Sequence, residues 1–268
     1  MHTPFHKMHG LGNDFVVIDA RDRPVAMTGP IAHAIADRHT GVGCDQLILL
    51  ERAEDVDARM RIFNADGGEV EACGNAARCV VQLLGGDARI ETSGGMISGT
   101  ANGGDPTVDM GEPRFDWEAI PLAYAMDTAD MPVGWHGLDH PAAVNVGNPH
   151  IVFFVDDSGA VPLAEIGPEI ENDPLFPERI NVNIASIGSD GGIDLHVWER
   201  GAGLTRACGT GACATAVAAI RRGLAQSPVA VRLPGGTLTI DWPPGGTIRM
   251  TGPATHVFDG EIDLEALA

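Results

Sequence analysis

Lysine is almost missing from this chain: Lys7 is the only one among 268 residues. A pyridoxal-phosphate enzyme needs a lysine for its Schiff base, so only Lys7 is available, and chemistry without that cofactor is expected. Basic residues as a whole are scarce, 17 against 37 acidic ones, for a formal net charge of −20. A surface of that sign repels phosphate backbones and anionic membranes, which argues against nucleic-acid and membrane partners. It either keeps the protein soluble by self-repulsion or fits it to a salty cytoplasm. No apolar run approaches the roughly 20 residues that cross a bilayer. The stretch Met1-His2-Thr3-Pro4-Phe5 lacks a charged region followed by an apolar one, so no secretory leader is expected and a cytoplasmic location is the default. Low-complexity segments are absent. Cysteine is sparse and odd in number: Cys44, Cys73, Cys79, Cys208 and Cys213. One of five must stay unpaired in any full disulfide scheme, and cytoplasmic thiols stay reduced. Burial or thiol chemistry is expected rather than a disulfide framework.

Two of those cysteines share a signature. Ala72-Cys73-Gly74-Asn75-Ala76-Ala77 and Ala207-Cys208-Gly209-Thr210-Gly211-Ala212 lie 135 residues apart. The same offset carries Gly12-Asn13-Asp14-Phe15-Val16-Val17 onto Gly147-Asn148-Pro149-His150-Ile151-Val152, and Met60-Arg61-Ile62-Phe63-Asn64 onto Leu195-His196-Val197-Trp198-Glu199. With a few residues of slack, Thr92-Ser93-Gly94-Gly95 matches Leu233-Pro234-Gly235-Gly236, and Met110 before Gly111 and Pro113 resembles Met250 before Gly252 and Pro253. Every match keeps its order, which is the mark of a duplicated domain. Two repeats of this length suit the usual domain size. The expected boundaries are 1–118 and 119–255, with a tail over 256–268 returning to the first repeat.

Alternating or apolar runs predict strands at 15–19, 46–50, 59–64, 89–91 and 107–110, then at 151–155, 194–199, 229–233, 238–241 and 248–250. Gly-Gly pairs at 94–95, 103–104, 235–236 and 245–246 mark tight turns. Each cysteine motif opens an alanine- and valine-rich helix, 74–84 and 209–222. The stretch 115–143, broken by Trp117, Pro121, Pro132, Trp135 and Pro141, is expected to hold the crossover between halves. The pattern predicts an α+β fold of two pseudo-symmetric halves, each an antiparallel β-barrel-like sheet around a central α-helix.

A cysteine at a helix N-terminus meets unpaired N–H groups and about half a positive charge, which favour the thiolate. The same N–H groups hold an anion, and the glycine after each cysteine lets a ligand come close. Two such thiols can take a proton from one face of a carbon and return one to the other. The proton shared between them makes the pair titrate as a unit. Zinc is disfavoured: Cys73 to Cys79 and Cys208 to Cys213 exceed the usual ligand spacing, and residues five or six apart on a helix diverge. Cys44, Cys79 and Cys213 read as small buried residues. The residues thus point to inversion at an amino-acid α-carbon without cofactor or metal.

Here the sequence resembles a known family. Lys7-Met8-His9-Gly10-Leu11-Gly12-Asn13-Asp14-Phe15, Asn64-Ala65-Asp66-Gly67, Ala72-Cys73-Gly74-Asn75, Gly147-Asn148-Pro149-His150, Glu199-Arg200-Gly201-Ala202-Gly203 and Ala207-Cys208-Gly209-Thr210-Gly211 are similar to the motifs of the diaminopimelate epimerases, in order and over nearly the whole chain. The resemblance implies interconversion of LL- and meso-2,6-diaminoheptanedioate toward lysine and peptidoglycan. It also implies no cofactor, two halves closing on the substrate, and a homodimer. Carried over by position, Cys73 and Cys208 are the acid–base pair, and Gly74, Asn75, Gly209 and Thr210 hold the reacting carboxylate. Asn13, Gln46, Asn64, Asn148 and Asn181 contact the rest of the substrate, Arg200 grips the distal carboxylate, and His150 and Glu199 tune the thiols. Glu199 stands opposite Asn64 in the repeat, where a substrate ammonium needs one carboxylate and one amide. Two departures stand out: Trp198 where the family commonly has tyrosine, and Cys44 where an apolar residue is usual. The alternatives are a proline or hydroxyproline epimerase of the same fold and a non-catalytic thiol redox or metal-binding protein.

Overall fold

The computed structural model describes residues 2–71 and 73–267. Ala72 of the first cysteine motif, and Met1 and Ala268 at the outer bounds of the expected repeats, lie outside the described residues. The fold is mixed α and β, with four α-helices among the described residues. Two compact units emerge, one running to Val108 and resuming at Gly252, the other comprising Asp109–Thr251.

In the first unit the order is β1 (His2–Gly10), β2 (Asn13–Asp19), α1 (Gly29–Ala36), β3 (Gln46–Glu51), β4 (Ala58–Asn64), β5 (Glu69–Val70), α2 (Gly74–Leu84), β6 (Gly86–Thr92), β7 (Gly95–Ala101) and β8 (Thr107–Asp109). The second unit holds β9 (Gly134–Trp135), β10 (Leu138–Asp139), β11 (Ala142–Asn145), β12 (Pro149–Phe154), α3 (Leu163–Glu171), β13 (Asn181–Ile187), β14 (Ile193–Glu199), β15 (Gly203–Thr205), α4 (Gly209–Arg221), β16 (Val229–Leu233), β17 (Gly236–Asp241) and β18 (Arg249–Thr251). The chain then returns to the first unit as β19 (Thr255–Asp263), antiparallel to β1.

The sheets are mixed, which corrects the antiparallel expectation. β2 runs parallel to β3 with Phe15 opposite Gln46, and β4 parallel to β6 with Ala58 opposite Ile90. In the second unit β12 runs parallel to β13 with His150 opposite Asn181, and β14 parallel to β16 with Ile193 opposite Val231. Parallel neighbours need a crossover, and a helix lies in each of these four connections. Two of the helices carry weak sequence signals: α1 is short, and α3 contains Pro168. A run of apolar residues marks a strand but not its direction.

The cysteine helices fall close to the predicted spans, since the chain leaves helical form at Gly85 after α2 and at Arg222 after α4. α2 packs against β1, β2, β6 and β7, while α4 packs against β11, β12, β13, β14, β16 and β17. Small side chains make that enclosure possible: Ala212, Ala214, Ala216 and Ala219 are fully buried. At Gly211 an added Cβ would lie 2.9 Å from Asn183 Oδ1 and 3.0 Å from Val197 Cγ2, so only glycine lets α4 sit this close to β13 and β14.

Each unit has its own apolar core. Val16, Ile18, Leu47, Leu49, Phe63 and Cys44 belong to the first. Ile120, Leu122, Met131, Ile151, Phe153 and Val182 belong to the second, with Trp117, Trp135 and Trp198 packed against it. The 115–143 stretch is thus part of the second unit's core, and the chain passes between units at Val108–Asp109. Among the described residues no helix is long and apolar enough to cross a membrane.

Candidate active site

In the first unit Cys73 is the N-cap of α2, in extended backbone conformation and half-buried. Its Sγ lies 3.9 Å from Asn13 Oδ1. Asn75 donates to the same oxygen at 3.2 Å, and Asn13 Nδ2 donates to Asp45 Oδ2 at 2.9 Å. Behind Asn75 stands Arg78, entirely buried, whose Nη2 donates to Asn75 Oδ1 at 2.9 Å. Gln46 and Asn64 face each other across β3 and β4, with Gln46 Nε2 donating to Asn64 Oδ1 at 2.9 Å. Gln46 Oε1 is buried without a hydrogen-bond partner, as a group reserved for a ligand would be. Asp14 anchors the Asn13 turn through Lys7 and Arg38. Burial alone would raise its pKa, but those two cations overcome it and hold the carboxyl at about 2.

In the second unit Cys208 is the N-cap of α4 and is buried. Its Sγ accepts from Gly211 N at 3.3 Å and lies 3.5 Å from Thr210 Oγ1. The expected thiolate stabilisation is overruled here. Burial pushes the Cys208 thiol well above its ordinary range and the Glu199 carboxylate pushes it further, against the weaker opposing pull of Thr210 and Gly211. Desolvating a charge outweighs a half-charge at a helix end. Glu199 is oriented by Thr205, whose Oγ1 donates to it at 2.6 Å.

His150 is fully buried, and burial lowers its pKa to about 3, so the ring is neutral. Asn183 Nδ2 donates to its Nδ1 at 3.0 Å, which leaves the proton on Nε2 to be donated to Asn148 Oδ1 at 2.9 Å. The hydrogen bonds of His150 therefore hold Asn148. Asn181 is also buried; its Nδ2 donates to Pro149 O at 2.8 Å and its Oδ1 accepts from Arg200 N at 2.9 Å. Arg200 Nη1 donates to Glu178 O at 2.8 Å. Glu171 pins the adjoining turn by accepting from Gly201 N at 3.0 Å and from Trp198 Nε1 at 2.7 Å. Trp198 is thus held by a carboxylate as well as by packing. Cys44 lies in the core of the first unit, where burial pushes its thiol up to about 11; Cys79 rises to about 12 for the same reason.

Every singled-out residue in the first unit sits at the ends of β2, β3 and β4 or at the start of α2, and the second unit gathers its own set in the same way. Offset by 135, Asn13 maps to Asn148, Gln46 to Asn181, Asn64 to Glu199, Gly74 to Gly209 and Asn75 to Thr210. Arg78, Asn183, Glu171 and Asp14 escape the sequence reading. Asn183 could be found from its place two residues beyond Asn181 on the same strand face. Arg78 offers no such signal.

The fold defines a class. It is shared with a phenazine biosynthesis protein of the PhzF family from Enterococcus faecalis, TM-score 0.72 at 14% identity over 98% of this chain and 100% of that one. A hydroxyproline epimerase from Agrobacterium vitis, solved with trans-4-hydroxy-L-proline bound, gives TM-score 0.69 at 16% identity over 97% of this chain and 91% of that one. At such identity the likeness is one of fold, that of the PhzF and proline-racemase type of protein. Sequence narrows the class: the diaminopimelate epimerase family model matches residues 5–116 and 142–257. The diaminopimelate epimerase of Rhizorhabdus wittichii is 68% identical over 267 residues, covering 99% of this chain and 97% of that one. The chain belongs to the diaminopimelate epimerase family.

Proposed function

We propose that this chain is an isomerase converting LL-2,6-diaminoheptanedioate to the meso form, a step toward lysine and peptidoglycan precursors, with Cys73 and Cys208 as its acid–base pair and no cofactor. One observation carries the reading: a cysteine caps the crossover helix of each unit, inside the same strand register, in a chain of this family. One sulfur, as thiolate, takes the α-proton and becomes a thiol. The electron pair left on carbon spreads into the α-carboxylate, where N–H groups of Gly74, Asn75, Gly209 and Thr210 stabilise the enolate-like charge. The other thiol gives its proton to the opposite face and is left as thiolate. Burial and the Glu199 carboxylate favour the thiol form of Cys208, which suits it to donate a proton.

The remaining roles follow the same reading. Glu199 keeps Cys208 protonated and, with Asn64, receives the distal ammonium; Arg200 receives the distal carboxylate, for which its planar fork is suited. Gln46 offers its unpartnered oxygen, Asn13 and Asn148 line the substrate, and Asn181 and His150 position Arg200 and Asn148. The two units are read as pseudo-symmetric barrels from a duplication, supported by the repeated pairings Phe63 with Glu69 and Trp198 with Leu204. Repeats at 1–118 and 119–255, with the 256–268 tail on the first, belong to this reading, as do a cytoplasmic location and a homodimer, without nucleic-acid or membrane partners. Exposed Val257 and Phe258 supply apolar surface for the dimer.

The test is solvent-deuterium incorporation at the α-carbon of LL-diaminopimelate, run metal-free under reductant with proline in parallel. Exchange with inversion on diaminopimelate alone is expected, falling about 10²–10⁴-fold in Cys73→Ala and Cys208→Ala. Exchange on proline instead moves the assignment to a sister racemase.

A further inference from the structure

Away from both cysteine helices, His6 of β1 and His256 and Asp259 of β19 converge on one point. His6 Nδ1 lies 2.6 Å and His256 Nε2 2.7 Å from the same oxygen, Asp259 Oδ1. The two imidazoles meet edge to face with ring centroids 6.0 Å apart, and the three donor atoms all lie within 4.8 Å of one another. Strand geometry explains how this comes about. Residues 256 and 259 would point to opposite faces of a regular strand. The β1–β19 register places Lys7 opposite Phe258 and Met8 opposite His256, so Val257 is an extra residue in β19. That bulge brings His256 to the side of Asp259, and the ladder sets His6 directly across from Asp259.

We propose that His6, His256 and Asp259 form a binding site for a first-row divalent transition metal such as zinc or cobalt, clasping β19 to β1. Two imidazoles and a carboxylate are a donor set these ions favour. Ligands at about 2.0–2.1 Å from a tetrahedral ion stand roughly 3.3 Å apart, so the two His–Asp distances need open by only several tenths of an ångström. All three side chains are partly exposed, which leaves coordination positions for water and a path of entry. The ion replaces two N–H···O bonds: each facing ring nitrogen gives up its proton, to solvent or to the other nitrogen of its ring, and turns a lone pair to the metal. The strongly acidic chain favours uptake of a cation. Binding that requires both strands in place stabilises the native state by mass action.

The experiment titrates untagged, metal-free, reduced full-length protein with Co²⁺ alone and follows its absorption and melting temperature. One saturable equivalent is expected, with weak visible ligand-field bands, no near-ultraviolet sulfur-to-cobalt band, and a melting temperature several degrees higher. His6→Gln and His256→Gln, on opposite strands, and Asp259→Asn should each weaken binding at least tenfold and abolish the thermal gain. The two histidine variants carry the test should Asp259→Asn not fold. Binding unchanged in both histidine variants, a sulfur-to-cobalt band lost in Cys73→Ala or Cys208→Ala as the sole signal, or no saturation at millimolar Co²⁺ would each overturn the site.

Discussion

The guanidinium of Arg78 is buried in the middle of α2, where an unpaired charge is not tolerated. Its bond to Asn75 Oδ1 turns the Asn75 amide toward Asn13, whose oxygen also faces Cys73 Sγ. Arg78 is therefore a positioning residue for the first thiol. Arg78→Met keeps the bulk but removes the bond to Asn75 Oδ1, a loss of about 1–3 kcal/mol. We expect a lower melting temperature and at least a tenfold slower α-proton exchange, with KM little changed; a loss of stability alone would limit Arg78 to packing. At this scale the cysteines are legible in sequence because a duplicated motif needs no structure to be seen. Arg78 is illegible because an arginine on a helix ordinarily faces water, and Cys208 shows a second limit. Its place at a helix start could be read from glycine and alanine around it, but its burial beside Glu199 could not, and burial decides its protonation.

Among the elements, α2 and α4 follow from sequence almost residue for residue, because extended cysteine, glycine and alanine succeed one another at each start. β1 and β19 do not. His2, His6, Lys7 and His9 interrupt any apolar cadence in β1, and β19 is exposed over most of its length. His6 lies 250 residues before His256, so no spacing rule brings the proposed ligands of the two strands together. The β12–β13 pair makes a prediction of its own, since His150 is held neutral between Asn148 and Asn183. Its folded pKa of about 3 lies below the ordinary 6.5. The unfolded chain therefore binds the extra proton between those values, so this stability is intact above about pH 6.5 and is lost as pH falls toward 3. Asp14 acts elsewhere: its contribution is present above 3.8 and fades as pH falls through about 2. Urea midpoints should thus drop between about pH 7 and pH 4.5 in the wild type, and His150→Gln should flatten that slope. An unaltered slope in the variant would assign the acid sensitivity to other groups.

For the molecule as a whole, an excess of 20 negative charges sets a balance between repulsion and ion pairs. Salt screens both, weakening pairs such as Arg232 with Asp190 and Arg38 with Asp45 while relieving repulsion among the remaining carboxylates. With acidic residues outnumbering basic ones 37 to 17, repulsion is the larger effect, and the melting temperature should rise by several degrees from low to molar sodium chloride. A fall on the same titration would mean that the ion pairs dominate. The division into two units accords with the two sets of similar motifs, whereas the return of β19 was visible only as an expected tail. That return makes the first unit discontinuous in sequence while Asp109–Thr251 forms the second in one stretch. During synthesis at about 5–20 residues per second, β1 leaves the ribosome on the order of ten seconds or more before its outer partner. Throughout that interval one edge of β1 is open to any stray strand. Pro4, which has no N–H to offer a partner, sits along it, a residue type that blunts an edge against wrong pairing.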